Sequence, residues 1–282
     1  MSLGSTGSRV DRPIGVFDSG VGGLSVLNAL RDTLPHERFV YFADTAHAPY
    51  GERGDPHVID RTRDVTRYLV QAHRVKALVV ACNTATAAAV HLVRTEHAAL
   101  PVIGIEPALK PAVAASRTGR VGVLATRGTL GSSKFRALHA SLAGQVEFVL
   151  QPCDGLAAAI EANDTAAIAA LCRDYMGALG TFGTAPGEID TVVLGCTHYP
   201  FVTDVLRADA PPSVRFVETG EPVARQTRQL LATAGQLRAS GPGHVGVWTS
   251  GAADALDAAA TRWLREPAAA ARRADVPLHL TA

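Results

Sequence analysis

Leu78-Val79-Val80-Ala81-Cys82-Asn83-Thr84 and Val192-Val193-Leu194-Gly195-Cys196-Thr197-His198 share one grammar: three apolar residues, one small residue, then a cysteine followed by polar groups. A short apolar run of this kind reads as a buried parallel strand whose carboxyl end carries the cysteine. In open α/β sheets that edge is where ligands bind, so each thiol is expected to project into a crevice. Two facing thiols are placed to work opposite sides of one substrate.

Outward from these strands the pattern repeats. Apolar runs at 14–17, 38–43, 77–81, 102–105, 121–125, 146–150, 191–194, 214–217 and 245–248 read as strands, and Ala/Leu-rich stretches at 24–34, 56–74, 85–97 and 166–179 read as helices. Alternating β and α segments predict an α/β protein with mostly parallel sheets, and right-handed crossovers put the functional loops on one edge. Gly15-Val16-Phe17-Asp18-Ser19 also resembles Gly122-Val123-Leu124-Ala125-Thr126. The likeness reads either as a duplication of about 110 residues or as the general similarity of buried βα units. Gly104-Ile105-Glu106-Pro107 is a plausible crossover between two lobes and Glu218-Thr219-Gly220-Glu221-Pro222 a plausible return. The expected division is a flexible lead at 1–11, a first lobe at 12–105 plus 219–282, and a second lobe at 106–218.

The 282 residues are 47% hydrophobic and 19% charged, enough apolar content for one or two soluble cores. Twenty-seven basic and 26 acidic side chains leave a formal net charge of +1, so nothing in the charge balance points to nucleic acid or to a membrane surface. No apolar run approaches the roughly 20 residues of a membrane helix, and the opening Met1-Ser2-Leu3-Gly4 has no signal-peptide stretch. Four cysteines in so long a chain fit a reducing compartment, and a cytoplasmic location is expected.

Cys82 opens a helix, where amide N–H groups and the helix dipole are expected to favour its thiolate. Cys196 is followed by Thr197 and His198, an imidazole able to exchange protons with the thiol. Cys153, after a proline in a turn, and Cys172, on a helix, read as structural thiols. Asp18-Ser19-Gly20-Val21-Gly22-Gly23-Leu24 joins the first strand to the first helix, and its amides are expected to suit a carboxylate or phosphate. It is not the dinucleotide fingerprint, because Ser25 stands where the third glycine or alanine belongs. Asp18 itself suits an ammonium group or proton shuttling. The loop Asp44-Thr45-Ala46-His47-Ala48-Pro49-Tyr50-Gly51-Glu52 offers backbone N–H groups and an aromatic wall, or is a plain surface turn. No metal-ligand spacing stands out, and the lysines, Lys76, Lys110 and Lys134, fall away from strand carboxyl ends, which argues against pyridoxal phosphate.

A carbon acid deprotonated on one face and reprotonated on the other needs two groups of similar proton affinity across the substrate. Two cysteines meet that need, one as thiolate and one as thiol, with a reference pKa of about 8.5.

At this point the residues reach a family. Phe17-Asp18-Ser19-Gly20-Val21-Gly22-Gly23-Leu24, Ala48-Pro49-Tyr50-Gly51-Glu52, Ala81-Cys82-Asn83-Thr84-Ala85 and Gly195-Cys196-Thr197-His198-Tyr199-Pro200 closely resemble the motifs of glutamate racemases, in the family's order. Gly104-Ile105-Glu106-Pro107 and Thr126-x-x-Thr129 match as well, and the likeness runs from about Ile14 to Val223. Phe135 departs from the tyrosine that relatives often carry.

The resemblance implies cofactor-independent interconversion of L- and D-glutamate, supplying D-glutamate for peptidoglycan and hence for cell-wall biogenesis and cell shape. It implies two similar α/β lobes, each a mostly parallel sheet flanked by helices, related by a pseudo-two-fold with the active site between them. It also implies a homodimer, and with the charge balance and hydropathy above no nucleic-acid or membrane partner is expected. By motif position, Cys82 and Cys196 would be the acid/base pair, and Asp18 and His198 would assist proton transfer. Ser19, Tyr50, Gly51, Asn83, Thr84 and Thr197 would hold the substrate, with Thr126 and Thr129 on its side-chain carboxylate. The rival readings are a racemase of another acidic amino acid such as aspartate, a Cys/His acyl-transfer enzyme built on Cys196 and His198, and a binding protein that kept the cleft without turnover.

Overall fold

The computed structural model describes residues 8–276. Ten strands, named in chain order, are β1 (Ile14–Asp18), β2 (Arg38–Ala43), β3 (Ala77–Val80), β4 (Val102–Gly104), β5 (Arg120–Ala125), β6 (Glu147–Pro152), β7 (Thr191–Leu194), β8 (Arg215–Val217), β9 (His244–Thr249) and β10 (Arg272–Arg273). The helices are α1 (Leu24–Thr33), α2 (Asp55–His73), α3 (Asn83–Glu96), α4 (Leu109–Ala115), α5 (Arg127–Gly131), α6 (Ser133–Ala140), α7 (Leu156–Ala162), α8 (Thr165–Leu179), α9 (Thr203–Arg207), α10 (Gly220–Thr233) and α11 (Ala253–Trp263). The nine strands expected from the apolar runs all form, most with ends moved by a residue or two. β10 was not expected.

Two all-parallel sheets result, one ordered β10-β9-β2-β1-β3-β4 and the other β6-β5-β7-β8. Both contain the same core: a first strand flanked on one side by its successor and on the other by the third strand, with the fourth beyond. The chain reverses its direction of travel across the sheet between β1 and β3, and again between β5 and β7. At such a switch point the loops diverge and leave a crevice at the carboxyl ends of the strands. Asp18 ends β1 and Cys82 follows β3, while Thr126 follows β5 and Cys196 lies just beyond β7. The cysteines therefore occupy topologically equivalent positions, which is why their sequence contexts match.

The strands read as continuous apolar runs because helices cover both faces of each sheet. On one face of the six-stranded sheet, Val16, Tyr41 and Val79 meet Leu27 and Leu30 of α1 and Ala224 and Leu231 of α10. On the other, Phe17, Phe42 and Val80 meet Val65 and Leu69 of α2 and Val90 of α3. The four-stranded sheet is covered likewise by α7 and α8 on one side and α4 and α6 on the other. At the amino ends of the strands, opposite the crevices, Lys76 Nζ lies 2.6 Å from Glu37 Oε2 in a fully buried ion pair. Lys76 also donates to the carbonyls of Val10 and Gln236 at 2.7 and 2.8 Å, and so ties down a short turn at Arg9–Asp11. Of the expected lead, residues 1–7 lie outside the described residues, as do 277–282 at the other end.

Candidate active site

The crevices of the two sheets merge into one cleft. Cys82, Cys196, Asp18, His198, Ser19, Tyr50, Gly51, Asn83, Thr84, Thr126, Thr129 and Thr197 all line it. The twelve residues singled out from the sequence are thus brought together.

On the side of the six-stranded sheet, Cys82 is the N-cap of α3, and Ala85 N–H points at its Sγ at 3.5 Å. Ser19 Oγ lies 3.6 Å from the same sulfur and donates to Asp18 Oδ1 at 3.4 Å. Burial, followed by the charge of Asp18, outweighs the helix amide and pushes the Cys82 thiol up to about 12. The thiolate expected from the helix terminus is therefore corrected. The dipole acts on a buried sulfur with a carboxylate nearby, so the resting group is a thiol.

Asp18 is fully buried. It accepts from Ser19 N–H at 2.7 Å and from Gly23 N–H at 2.5 Å. Burial lifts its carboxyl to about 6, against the opposing pull of His198 and the Gly23 amide. Val21 N–H donates to Glu161 Oε1 at 2.8 Å. Three amides of the glycine-rich loop are thus already spent on the protein's own carboxylates. The expected anion cradle for a ligand is corrected: Asp18 and Glu161 are the anions it holds.

On the side of the four-stranded sheet, Cys196 Sγ lies 3.6 Å from His198 Nδ1, and the other ring nitrogen, Nε2, lies 2.6 Å from Glu161 Oε1. Burial alone would discharge this imidazole, but the hydrogen bonds and charges of Cys196 and Glu161 win and hold its pKa well above the usual histidine range. An imidazolium therefore sits beside Cys196, with its Nδ1–H turned to the sulfur. Glu161, on α7, carries no signal in the sequence that could have found it, because its partner His198 is reached only through the fold.

The two sides touch at Gly22. A Cβ built there would stand 2.5 Å from His198 Nδ1 and 2.6 Å from Thr197 Oγ1, so only glycine permits this approach. Ser25 Oγ, at the start of α1, donates to the Thr197 carbonyl at 2.8 Å and fastens the same junction.

The remaining wall is polar. Both polar atoms of the Asn83 side chain are buried and find no partner among the described residues, which leaves them for a ligand. Thr126 donates to Thr129 Oγ1 at 2.9 Å. Tyr50 hydroxyl donates to Asp44 Oδ2 at 2.5 Å, so the loop after β2 is an ordered wall and not a plain surface turn. Cys153 also lines the cleft, a position its sequence context did not suggest. It donates to the Gln151 carbonyl at 3.4 Å and burial pushes it up to about 12, so it stays a thiol. Cys172 is fully buried under the four-stranded sheet, as expected of a structural residue.

Comparison with known proteins agrees with this architecture. Residues 22–227 match the profile of the Asp/Glu/Hydantoin racemase family. A glutamate racemase of Pseudomonas syringae pv. tomato is 49% identical over 234 residues, 82% of each chain. One from Ralstonia pickettii is 49% identical over 236 residues, 83% of this chain and 81% of its own. Among solved structures, a glutamate racemase isoform of Bacillus anthracis superposes with a TM-score of 0.83 at 30% identity, covering 95% of this chain and 98% of its own. Escherichia coli glutamate racemase, solved with L-glutamate and the activator UDP-MurNAc-ala, gives 0.80 at 29% identity over 94% and 99%. No helix among the described residues is long and apolar enough to cross a membrane. The chain belongs to the Asp/Glu/Hydantoin racemase family and is an isomerase of the amino-acid racemase class.

Proposed function

We propose that this enzyme interconverts L- and D-glutamate without a cofactor, with Cys82 and Cys196 as the two acid/base groups. The observation that carries the reading is the equivalence of these cysteines, each just past the third strand of its sheet core, on the wall of one shared cleft. The glutamate racemases it matches, and the L-glutamate held by the Escherichia coli relative, favour glutamate as substrate. An acyl-transfer reading would leave Cys82 and Asp18 in the cleft without a role.

The two thiols have different neighbours, Asp18 with Ser19 at Cys82 and His198 at Cys196. Cys82 is a thiol and supplies the proton on one face of the α-carbon. Cys196, with His198 Nδ1 3.6 Å from its sulfur to exchange the proton, acts on the α-hydrogen from the other. For the opposite enantiomer the two thiols exchange roles, with Ser19 Oγ and Asp18 within reach to move a proton at Cys82 and His198 Nδ1 within reach at Cys196. Asn83, Thr84, Thr197, Ser19 and the Tyr50–Gly51 backbone hold the amino-acid head, and Thr126 with Thr129 receives the distal carboxylate. Excluding water around these groups strengthens each interaction at the moment charge develops on the α-carbon.

D-glutamate made in this way would go to peptidoglycan, which sets cell-wall growth and shape. As in the family it resembles, the enzyme is read as a cytoplasmic dimer of two-lobed chains, divided at 12–105 with 219–282 and at 106–218. The test is incubation of each glutamate enantiomer in D2O. Wild-type enzyme is expected to racemise both and place deuterium on the α-carbon, and Cys82→Ser and Cys196→Ser are each expected to stop racemisation. Turnover unchanged in both single variants would refute the two-base reading, and turnover of aspartate in preference to glutamate would refute the substrate.

A further inference from the structure

Arg61, in the middle of α2, heads the large side chains with no solvent exposure among the described residues, and it does not line the cleft. Burying a guanidinium is costly unless its N–H groups are used. Nε and Nη2 grip Asp44 as a two-pronged fork, at 2.9 Å to Oδ2 and 2.8 Å to Oδ1. Nη1 donates to the Val276 carbonyl at 2.8 Å, and Asp64 lies 3.9 Å from the same nitrogen.

What Asp44 does with its remaining capacity links this clamp to the cleft. Its Oδ2 also accepts the Tyr50 hydroxyl at 2.5 Å. The stretch between them is braced from β9, where Thr249 Oγ1 lies 2.7 Å from Thr45 Oγ1 and Ser250 Oγ accepts Ala46 N–H at 3.2 Å. Gly51, next to Tyr50, reaches the other sheet: a Cβ on Gly128 would stand 3.0 Å from the Gly51 carbonyl, and one on Gly51 would stand 3.6 Å from Thr126 Cβ. The placement of this loop therefore sets the width of the cleft where Thr126 and Thr129 stand. A fork of this kind fixes direction as well as distance, which a pair of apolar residues filling the same space would not do.

We propose that Arg61 is a positioning residue through which the C-terminal segment at Val276 sets the Asp44–Tyr50 loop, and so holds the Tyr50–Gly51 wall at the spacing that binds substrate. This segment thereby completes a site to which its described residues contribute no lining side chain. This rests on reading the cleft as a glutamate-racemising site.

Three variants test it: Arg61→Lys, which keeps the charge and loses the fork; a chain ending at Ala274, which removes the Val276 carbonyl; and Tyr50→Phe, which cuts the last link. Kinetics with both glutamate enantiomers are combined with hydrogen exchange of the 44–52 amides. The expected result in the folded variants is a KM raised about tenfold with kcat held within about threefold. Amide exchange across 44–52 is expected to be faster in Arg61→Lys and in the shortened chain. A folded variant of either kind with wild-type KM and wild-type exchange overturns the proposal, as does loss of activity that merely follows the folded fraction. Should Arg61→Lys fail to fold, the shortened chain and Tyr50→Phe decide. Failure of the wild type to racemise glutamate would count against the proposed function instead, and the exchange measurement would still judge the coupling.

Discussion

Glu161 Oε1 lies 2.6 Å from His198 Nε2 and at the same time accepts Val21 N–H at 2.8 Å, joining a helix over the four-stranded sheet to the first loop of the six-stranded one. The carboxylate does two jobs with one oxygen: it keeps the imidazole charged beside Cys196 and it ties the two sides of the cleft together. Glu161→Gln can keep the Val21 bond but removes the charge. Its kcat is expected to fall on the order of 10- to 100-fold with KM little changed, and the histidine-dependent limb of the pH–rate profile is expected to move to lower pH. Wild-type kcat in this variant would remove Glu161 from the proton-transfer machinery.

Asp18 should leave a signature in stability against pH. Its carboxyl titrates near 6 in the folded protein against an ordinary 3.8, so the folded state holds this proton more tightly than the unfolded chain does. The resulting stabilisation is full below the ordinary value and is lost as pH rises through about 6, a change of about 3 kcal/mol. Asp18→Asn does not titrate. Its stability relative to wild type is therefore expected to improve between pH 4 and pH 7.5 in urea melts, even though racemisation is impaired. A constant difference between the two proteins across that range would contradict the burial argument.

Gly22→Ala tests the contact between the two sides of the cleft. The added methyl would meet His198 Nδ1 and Thr197 Oγ1 at 2.5 and 2.6 Å, too close for either to stay in place. We expect loss of kcat by at least about 100-fold, since displacement of a catalytic group by about 1 Å has that effect. The melting temperature should change far less, because the clash falls on a loop junction. Activity near wild type would mean that His198 can move without consequence.

The buried pair Glu37–Lys76 lies at the edge of the sheet away from the cleft and predicts a stability effect alone. Lys76→Ala would leave Glu37 buried without its counter-charge and release the Val10 and Gln236 carbonyls, at an expected cost of about 3–5 kcal/mol. Replacing both partners with apolar residues of similar volume should cost less than the single change. Chemical denaturation of the single and double variants checks the order, and KM of the folded fraction should not move.

The α/β alternation and the paired strand-end cysteines were legible because apolar runs and Gly/Pro punctuation are local. β10 was not, since a two-residue strand has no periodicity and exists only because Arg272 and Arg273 lie beside Trp248 and Thr249. Glu161 was hidden for a similar reason: it sits on an alanine-rich helix whose neighbours Leu156 and Ile160 advertise a core face. Arg61 likewise looks like any cation on an amphipathic helix until Asp44 and Val276 are brought to it.

What the amino-acid sequence alone determined was which residues stand at the carboxyl ends of which strands, because strand and helix periods dictate that order. What only the tertiary structure decided was the charge environment of Cys82. The helix terminus at Cys82 argues for a thiolate, yet burial and Asp18, brought in from another strand, make it a thiol. Solvent access and charge act through space, and neither can be read along the chain.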